Sequence, residues 1–205
     1  MWEALMRTLD AGTMGADQGW GYRAVMLGVT LAGIFLVSAL IGILSAGLDE
    51  KLGELRKGRS QVLERDHTII YNWSPSMFDV IAELVIANES RRRPRIVVLS
   101  SRDKVEMEEE IARKVPALGR TRVICRTGDT TDLDELAIAN PQAARSIVIL
   151  SPEGAADPDS DVIKTLLALV NDPARRPEPY RIAAEIRDAH NAEVAHVVGG
   201  DEVQL

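Results

Sequence analysis

From Ala24 to Leu48 the chain reads AVMLGVTLAGIFLVSALIGILSAGL, 25 residues without a charged side chain. A helix needs about 20 apolar residues to cross the hydrocarbon of a bilayer. The run is longer than a signal-peptide core, and the residues before it are not a basic leader. A buried helix of a soluble protein is seldom apolar on every side for so many turns. Residues 23–50 are therefore expected to form a transmembrane helix. Lys51, Arg56, Lys57, Arg59 and Arg65 follow it closely, whereas only Arg7 and Arg23 precede it. Positive flanks mark the cytoplasmic side. The expectation is a cell-membrane protein with a single spanning helix in this chain and a cytoplasmic C-terminal domain.

The helix carries small residues four apart, Ala24, Gly28 and Ala32, then Ser38, Gly42 and Ala46. Such rows let another helix backbone approach closely. Gly33 and Gly42 could also serve as a gating hinge. Residues 1–22 begin with Trp2, Leu5, Met6 and Leu9 on one helical face. The acidic, glycine-rich stretch Asp10-Ala11-Gly12-Thr13-Met14-Gly15-Ala16-Asp17 follows, and then the interfacial aromatics Trp20 and Tyr22. A short helix, a glycine turn and a spanning helix is the order of a pore helix, a filter loop and an inner helix. Backbone carbonyls or the carboxylates of Asp10 and Asp17 could then coordinate a cation. An ordinary extracellular turn competes with that reading. Residues 51–65 are a basic linker, net +3, which fixes topology or meets anionic lipid.

After residue 65 the period changes. Apolar strands are expected at 67–73, 95–100, 121–126, 145–150 and 180–186, with a sixth opening at 202–205. Helices are expected at 78–88, around 107–115, at 132–139, 161–170 and 191–198. The first of these should be capped by Ser74, with Pro75 at its first position. Alternation at this spacing implies an α/β domain over 66–205, a doubly wound, Rossmann-like parallel sheet. This domain carries net −7, which argues against nucleic acid as a partner. A single cysteine, Cys125, excludes a disulfide framework and falls inside a strand, where a small buried hydrophobe is expected. Three histidines without HExxH spacing disfavour a zinc hydrolase. No nucleophile–base pair is evident, so no enzyme is expected.

Dinucleotide binding is the default use of such a sheet. Here the first turn, Asn72-Trp73-Ser74-Pro75-Ser76-Met77, has no glycine, and Pro75 removes an amide donor. NAD is therefore disfavoured, although Trp73 and Ser74 remain candidates for ligand contact at a helix start. Asp103 could meet a ribose hydroxyl and Arg102 a phosphate, or either could be a cap or solvated surface. The acidic clusters Glu108-Glu109-Glu110 and Asp129, Asp132, Asp134, Glu135 suit a hard cation. They make calcium the favoured ligand, with Asp129 and Asp132 as the candidate metal residues. A solvated helix face and a helix cap are the competing readings.

The run Gly128-Asp129-Thr130-Thr131-Asp132-Leu133, with Ala143 to Leu150, resembles the nucleotide-binding-type lobe of RCK domains, which regulate potassium conductance. Asn191-Ala192-Glu193 and Gly199 to Val203 are similar to its end. Leu55 to Val62, His67 to Ile70, Trp73-Ser74, Glu83-Leu84 and Ala87-Asn88 resemble the CASTOR/POLLUX (SYM8) ion-channel family, as does Asp10-Ala11-Gly12. The resemblance implies a homotetramer in a lipid membrane, passing a monovalent or divalent cation under control of a ligand. It assigns Asp10, Ala11, Gly12, Thr13, Met14, Gly15 and Asp17 to the filter. It also implies that the chain lacks upstream membrane helices and a second RCK part. Asn72 stands where the family usually has glycine, and the filter lacks the aromatic residue of TVGYGD, so strict potassium selectivity does not follow. The alternative is a membrane-tethered nucleotide sensor or redox protein without a pore.

Overall fold

The computed structural model describes residues 19–56 and 58–205, and the side chains of these apart from 49–56. The expected filter, from Asp10 to Asp17, lies outside the described residues. The chain divides into two units, 1–53 and 54–205.

Among the described residues of the first unit, helix α1 (Trp20–Arg56) runs for 37 residues without a break at Gly33 or Gly42. Its stretch Trp20–Leu48 is long and apolar enough to cross a membrane, and little of it is buried within the chain. Phe35 and Ile43 are each 72% exposed. Among the described residues, the space around Gly28 and Gly42 is open. Thr30, a buried hydroxyl on this helix, donates to the carbonyl of Met26 one turn back (2.9 Å), so its polarity is satisfied locally.

The second unit is built on six parallel strands: β1 (His67–Tyr71), β2 (Arg95–Ser100), β3 (Arg122–Thr127), β4 (Ala144–Ile149), β5 (Ile182–Ala184) and β6 (Val203–Gln204). Their order is β3-β2-β1-β4-β5-β6. The connecting helices are α2 (Met77–Ala87), α3 (Lys104–Lys114), α4 (Leu133–Leu136), α5 (Pro158–Val170) and α6 (Ala189–Gly199). Alternate residues along each strand feed two cores. Ile70, Ile96 and Val98 pack with Met77, Phe78 and Ile81 of α2 and with Met107 and Ile111 of α3. Ile69, Tyr71, Val97, Leu99, Ile147 and Ile149 pack with Leu136 and with Val162, Leu166 and Leu169 of α5. The doubly wound sheet expected from the apolar runs is thus present, covered on both faces. Cys125 is fully buried, and burial pushes its thiol pKa up to about 12, in keeping with the hydrophobe reading. Gly199 is required sterically, because a Cβ there would collide with the side chain of Val203.

Several boundaries differ from expectation. Helix α2 starts at Met77, not beside Ser74, and the residue before it, Ser76, makes no side-chain cap. Pro75 lies in a tight turn instead, closed by the Met77 amide donating to the Ser74 carbonyl (3.1 Å). Strand β1 ends two residues early, because Asn72 takes a left-handed backbone with φ 70°. Strand β5 is shorter than its apolar run. Its approach is held instead by the Tyr180 amide donating to Glu202 Oε2 (2.9 Å). Helix α6 begins at Ala189, capped by Asp188, two residues before the expected start.

His67 opens β1 and is fully buried. Its Nε2 donates to the carbonyl of Ala139 (2.9 Å), and Nδ1 meets no partner among the described residues. Burial pulls its pKa below the ordinary 6.5, against smaller upward pulls from the Ala139 bond and the charges of Glu64 and Asp66. The unfolded chain therefore takes up the proton first as pH falls. His67 favours folding fully above pH 6.5 and progressively less below it, with a limiting slope of about 1.4 kcal/mol per pH unit. Urea unfolding of the detergent-solubilised chain should show this acid-side loss, and the His67→Gln variant should show it reduced.

Candidate functional site

Strand order reverses between β1 and β4, where the outgoing connections leave for opposite faces of the sheet and open a crevice at the carboxyl ends of the strands. A cavity of about 380 Å³ lies there, lined by Asn72, Trp73, Ser100, Ser101, Arg102, Pro152 and Glu153. It is formed by the last residue of β2 and the residues that follow β1, β2 and β4.

Asn72 holds this crevice together. Its amide donates to the Leu99 carbonyl (3.0 Å), and its Nδ2 donates to the Leu150 carbonyl (2.9 Å). Its Oδ1 accepts a short bond from the Thr130 hydroxyl. One side chain thus ties the end of β1 to the end of β4 and to the loop after β3. Asparagine tolerates left-handed backbone better than other branched or bulky residues. A residue standing in place of a glycine therefore keeps the turn and adds two polar tethers.

Trp73 is almost fully buried, with its ring edge-to-face against Phe78 (82°, centroids 5.5 Å apart). The Arg102 guanidinium lies 4.5 Å from the Trp73 ring centroid and pairs with Glu110 (3.1 Å). Lys114, and then Arg102, hold the Glu110 carboxyl below its ordinary range. Arg102, offered by the sequence as a phosphate contact, is therefore already engaged by an aromatic face and a carboxylate. Ser74 is buried, and its hydroxyl bonds to that of Ser76 (3.1 Å) rather than pointing at a helix terminus. Asp103 caps α3, accepting from the amides of Val105 (2.8 Å) and Glu106 (3.3 Å).

The loop after β3 places Asp129 and Asp132 apart from the cavity lining. Asp129 Oδ1 accepts from the amide (2.8 Å) and hydroxyl (2.7 Å) of Thr131. Asp132 Oδ1 caps α4 through the amides of Asp134 (2.9 Å) and Glu135 (3.2 Å). Glu135 in turn accepts from the Asp129 amide (2.6 Å). Among the described residues no three acidic, histidine or cysteine side chains converge as a metal site. These bonds engage the Oδ1 atoms of Asp129 and Asp132, and their Oδ2 atoms make no hydrogen bond among the described residues.

On the other side of the crevice, Asp159 is a buried carboxylate at the start of α5. It accepts from the amides of Arg187 and Asp188 (both 2.9 Å) and from Asn191 Nδ2 (3.0 Å). Burial pushes its pKa up, but these three bonds and the Arg187 charge together bring it below the ordinary 3.8. It fixes the loop after β5. Glu185 accepts from the Ser151 amide (3.0 Å) and from the Ser76 hydroxyl (3.4 Å), which joins the loop after β4 to the turn before α2. Sequence reading did not single out Asn72, Asp159 or Glu185 as site builders. Only Asn72 gave a signal, as an asparagine where a glycine was expected.

No family model matches the chain. It is 32% identical over 205 residues to the ion channel CASTOR of Lotus japonicus, covering 100% of this chain and 24% of that protein. It is 31% identical over the same span to the ion channel DMI1 of Medicago truncatula, 23% of that protein. The calcium-gated potassium channel TvoK of Thermoplasma volcanium is 29% identical over 184 residues, covering 88% of this chain and 48% of that one. This chain thus spans about a quarter of the plant relatives it matches. In fold it is similar to a GsuK channel bound to NAD, at TM-score 0.50 and 18% identity, covering 98% of this chain and 34% of that one.

The turn at Asn72 can be tested by two substitutions. Asn72→Ala keeps a Cβ in left-handed backbone, takes the Asn72 donor from the Leu150 carbonyl and takes the acceptor from the Thr130 hydroxyl. It should destabilise the domain by about 2–4 kcal/mol. Asn72→Gly relieves the backbone and loses only the two tethers, so it should cost about 1–2 kcal/mol. Urea titration followed by tryptophan fluorescence compares them, because Trp73 adjoins the substitution.

Proposed function

This chain is a member of the CASTOR/POLLUX ion-channel family over the segment it spans, and on that premise we propose that it is the pore-and-gate segment of a ligand-regulated cation channel. The observation that carries the reading is the covalent order of its parts. An unbroken helix, uncharged from Ala24 to Leu48, leads after ten residues into the first strand of a doubly wound domain. In this reading α1 is the inner helix of the pore, and the domain after it is a cytoplasmic regulatory lobe of RCK type. Four copies surround the permeation path, with the small residues of α1 facing neighbouring helices. Asp10, Ala11, Gly12, Thr13, Met14, Gly15 and Asp17 form the cation filter.

Regulation requires a ligand with different affinities for the open and closed states. The segment 57–66 is the mechanical link, because it joins α1 to β1 directly. Calcium is our favoured ligand. TvoK is named as calcium-gated, and the Oδ2 atoms of Asp129 and Asp132 make no hydrogen bond among the described residues. A dinucleotide in the β1/β4 crevice is the second reading, that of a tethered sensor. It is favoured by the cavity at the strand switch point and opposed by the absence of glycine in the turn and by Arg102 already stacked on Trp73.

The reading is tested in planar bilayers, using the protein with whatever flanking sequence its reading frame carries. Cation-selective currents are expected, smaller in Asp10→Asn and Asp17→Asn because a ring of carboxylates concentrates cations at a pore mouth. Calcium should shift open probability, and Asp129→Asn with Asp132→Asn should remove that shift. Absence of current together with saturable NAD binding would replace the channel reading by the sensor.

A further inference from the structure

The second unit is acidic, yet its arginines gather at the amino ends of the strands. Arg95 opens β2, Arg122 opens β3, Arg145 is second in β4, and Arg181 immediately precedes β5. A parallel sheet brings all of these to one edge, opposite the crevice. At this edge a cavity of about 430 Å³ lies between the starts of β4 and β5, lined by Asp66, Arg145, Arg176, Glu178 and Arg181 together with backbone of the adjoining loops.

Its three guanidinium groups form no ion pair among the described residues. Arg145 donates only to neutral oxygens, Thr68 Oγ1 (3.2 Å) and Asn88 Oδ1 (3.1 Å). Arg176 donates only to the carbonyls of Ala144 (2.6 Å), Gln142 and Pro179 (both 3.4 Å). Its Nε is shielded from solvent and meets no acceptor. The Arg181 side chain is exposed and meets no acceptor among the described residues. Of the two carboxylates in the lining, Asp66 pairs with Arg91 (2.7 Å) and acts on Arg145 only through its charge, so two carboxylates face three lining arginines and Arg91. Burial, then the charge of Arg91, push the Arg145 pKa down; the Asp66 charge opposes them, and the Arg181 charge adds a smaller downward push, so the cations crowd one another.

Two of these groups are held in place before any ligand arrives. Arg145 is tied to β1 and to the end of α2, and Arg176 lies 4.9 Å from the ring centroid of Tyr180. A planar guanidinium fork matches the oxygens of a phosphate, and fixed forks lose little freedom on binding it. We propose that this cavity binds a phosphate-bearing anion through Arg145, Arg176 and Arg181. The chemistry is the same for a soluble phosphate compound and for an anionic lipid headgroup, and it does not depend on what occupies the crevice at the opposite edge.

The full chain in neutral detergent is followed by thermal unfolding at constant ionic strength, since a ligand of the folded state raises Tm. The probes are inorganic pyrophosphate and short-chain phosphatidylglycerol, with phosphatidylcholine of equal chain length as the uncharged comparison. A saturable rise in Tm is expected with an anionic probe and not with phosphatidylcholine. A response to pyrophosphate points to a soluble phosphate compound, and a response to phosphatidylglycerol alone points to lipid. Arg181→Gln, an exposed change that disturbs no internal bond, should weaken half-saturation at least tenfold. Arg92→Gln, exposed and outside the cavity lining, should leave it unchanged. The proposal is overturned by no saturable response to either anion, by wild-type affinity in Arg181→Gln, or by equal weakening in Arg92→Gln, which would mean diffuse charge rather than a site.

Discussion

The pairing of β1 with β2 on one side and β4 on the other sets most of what the domain can do. All five residues of β1 are buried, including His67 and Thr68, so every polar group on the strand needs a partner. Those partners fix neighbouring segments in turn. His67 holds the carbonyl of Ala139, Tyr71 donates to that of Leu136 (3.2 Å), and Thr68 bonds across to Ser146 (3.0 Å). The helical turns between β3 and β4 are thus pinned by a strand far away in sequence. The same two-sided pairing forces the chain to leave β1 and β4 in opposite directions, which opens the crevice and gives Asn72 its position.

Charge is divided along the strand direction. The carboxylates of Asp103, Asp132, Asp157 and Asp188 each accept from amides at a helix start, so they gather at the carboxyl ends of the strands. The opposite edge carries the strand-opening arginines and the carboxyl ends of the helices. An overall charge of −7 therefore conceals an acidic edge and a basic one. The acidic side chains there are largely consumed in capping, whereas three arginines at the basic edge form no ion pair among the described residues. Net charge alone points toward cation binding, and the arrangement of bonds shifts attention to anions.

Helix α1 has the opposite problem. Most of its large side chains are exposed, with Met26 and Thr30 as buried exceptions, so the hydrophobic effect leaves it unstable in water without lipid or other helices around it. The open space at Gly28 and Gly42 is compatible with close packing against another copy.

Local sequence determined the long apolar helix, the alternation of strands and helices, and the acidic caps, because each depends on residues that are neighbours along the chain. A run of 25 uncharged residues has few folding options, and Asp103 and Asp132 met the amides just after them as their spacing implies. Tertiary structure decided what those residues became. Ser74-Pro75 reads as a helix start, yet the turn after β1 is governed by a left-handed Asn72 tied to Leu150 and Thr130, partners 78 and 58 residues away. Arg102 reads as a free phosphate contact, but folding brings Trp73 and Glu110 to it first. Arg145, Arg176 and Arg181 are unremarkable in sequence and converge only because parallel pairing aligns the starts of β4 and β5. Period and capping are short-range and visible in the chain, whereas the pairing of charges depends on strand order, which is not.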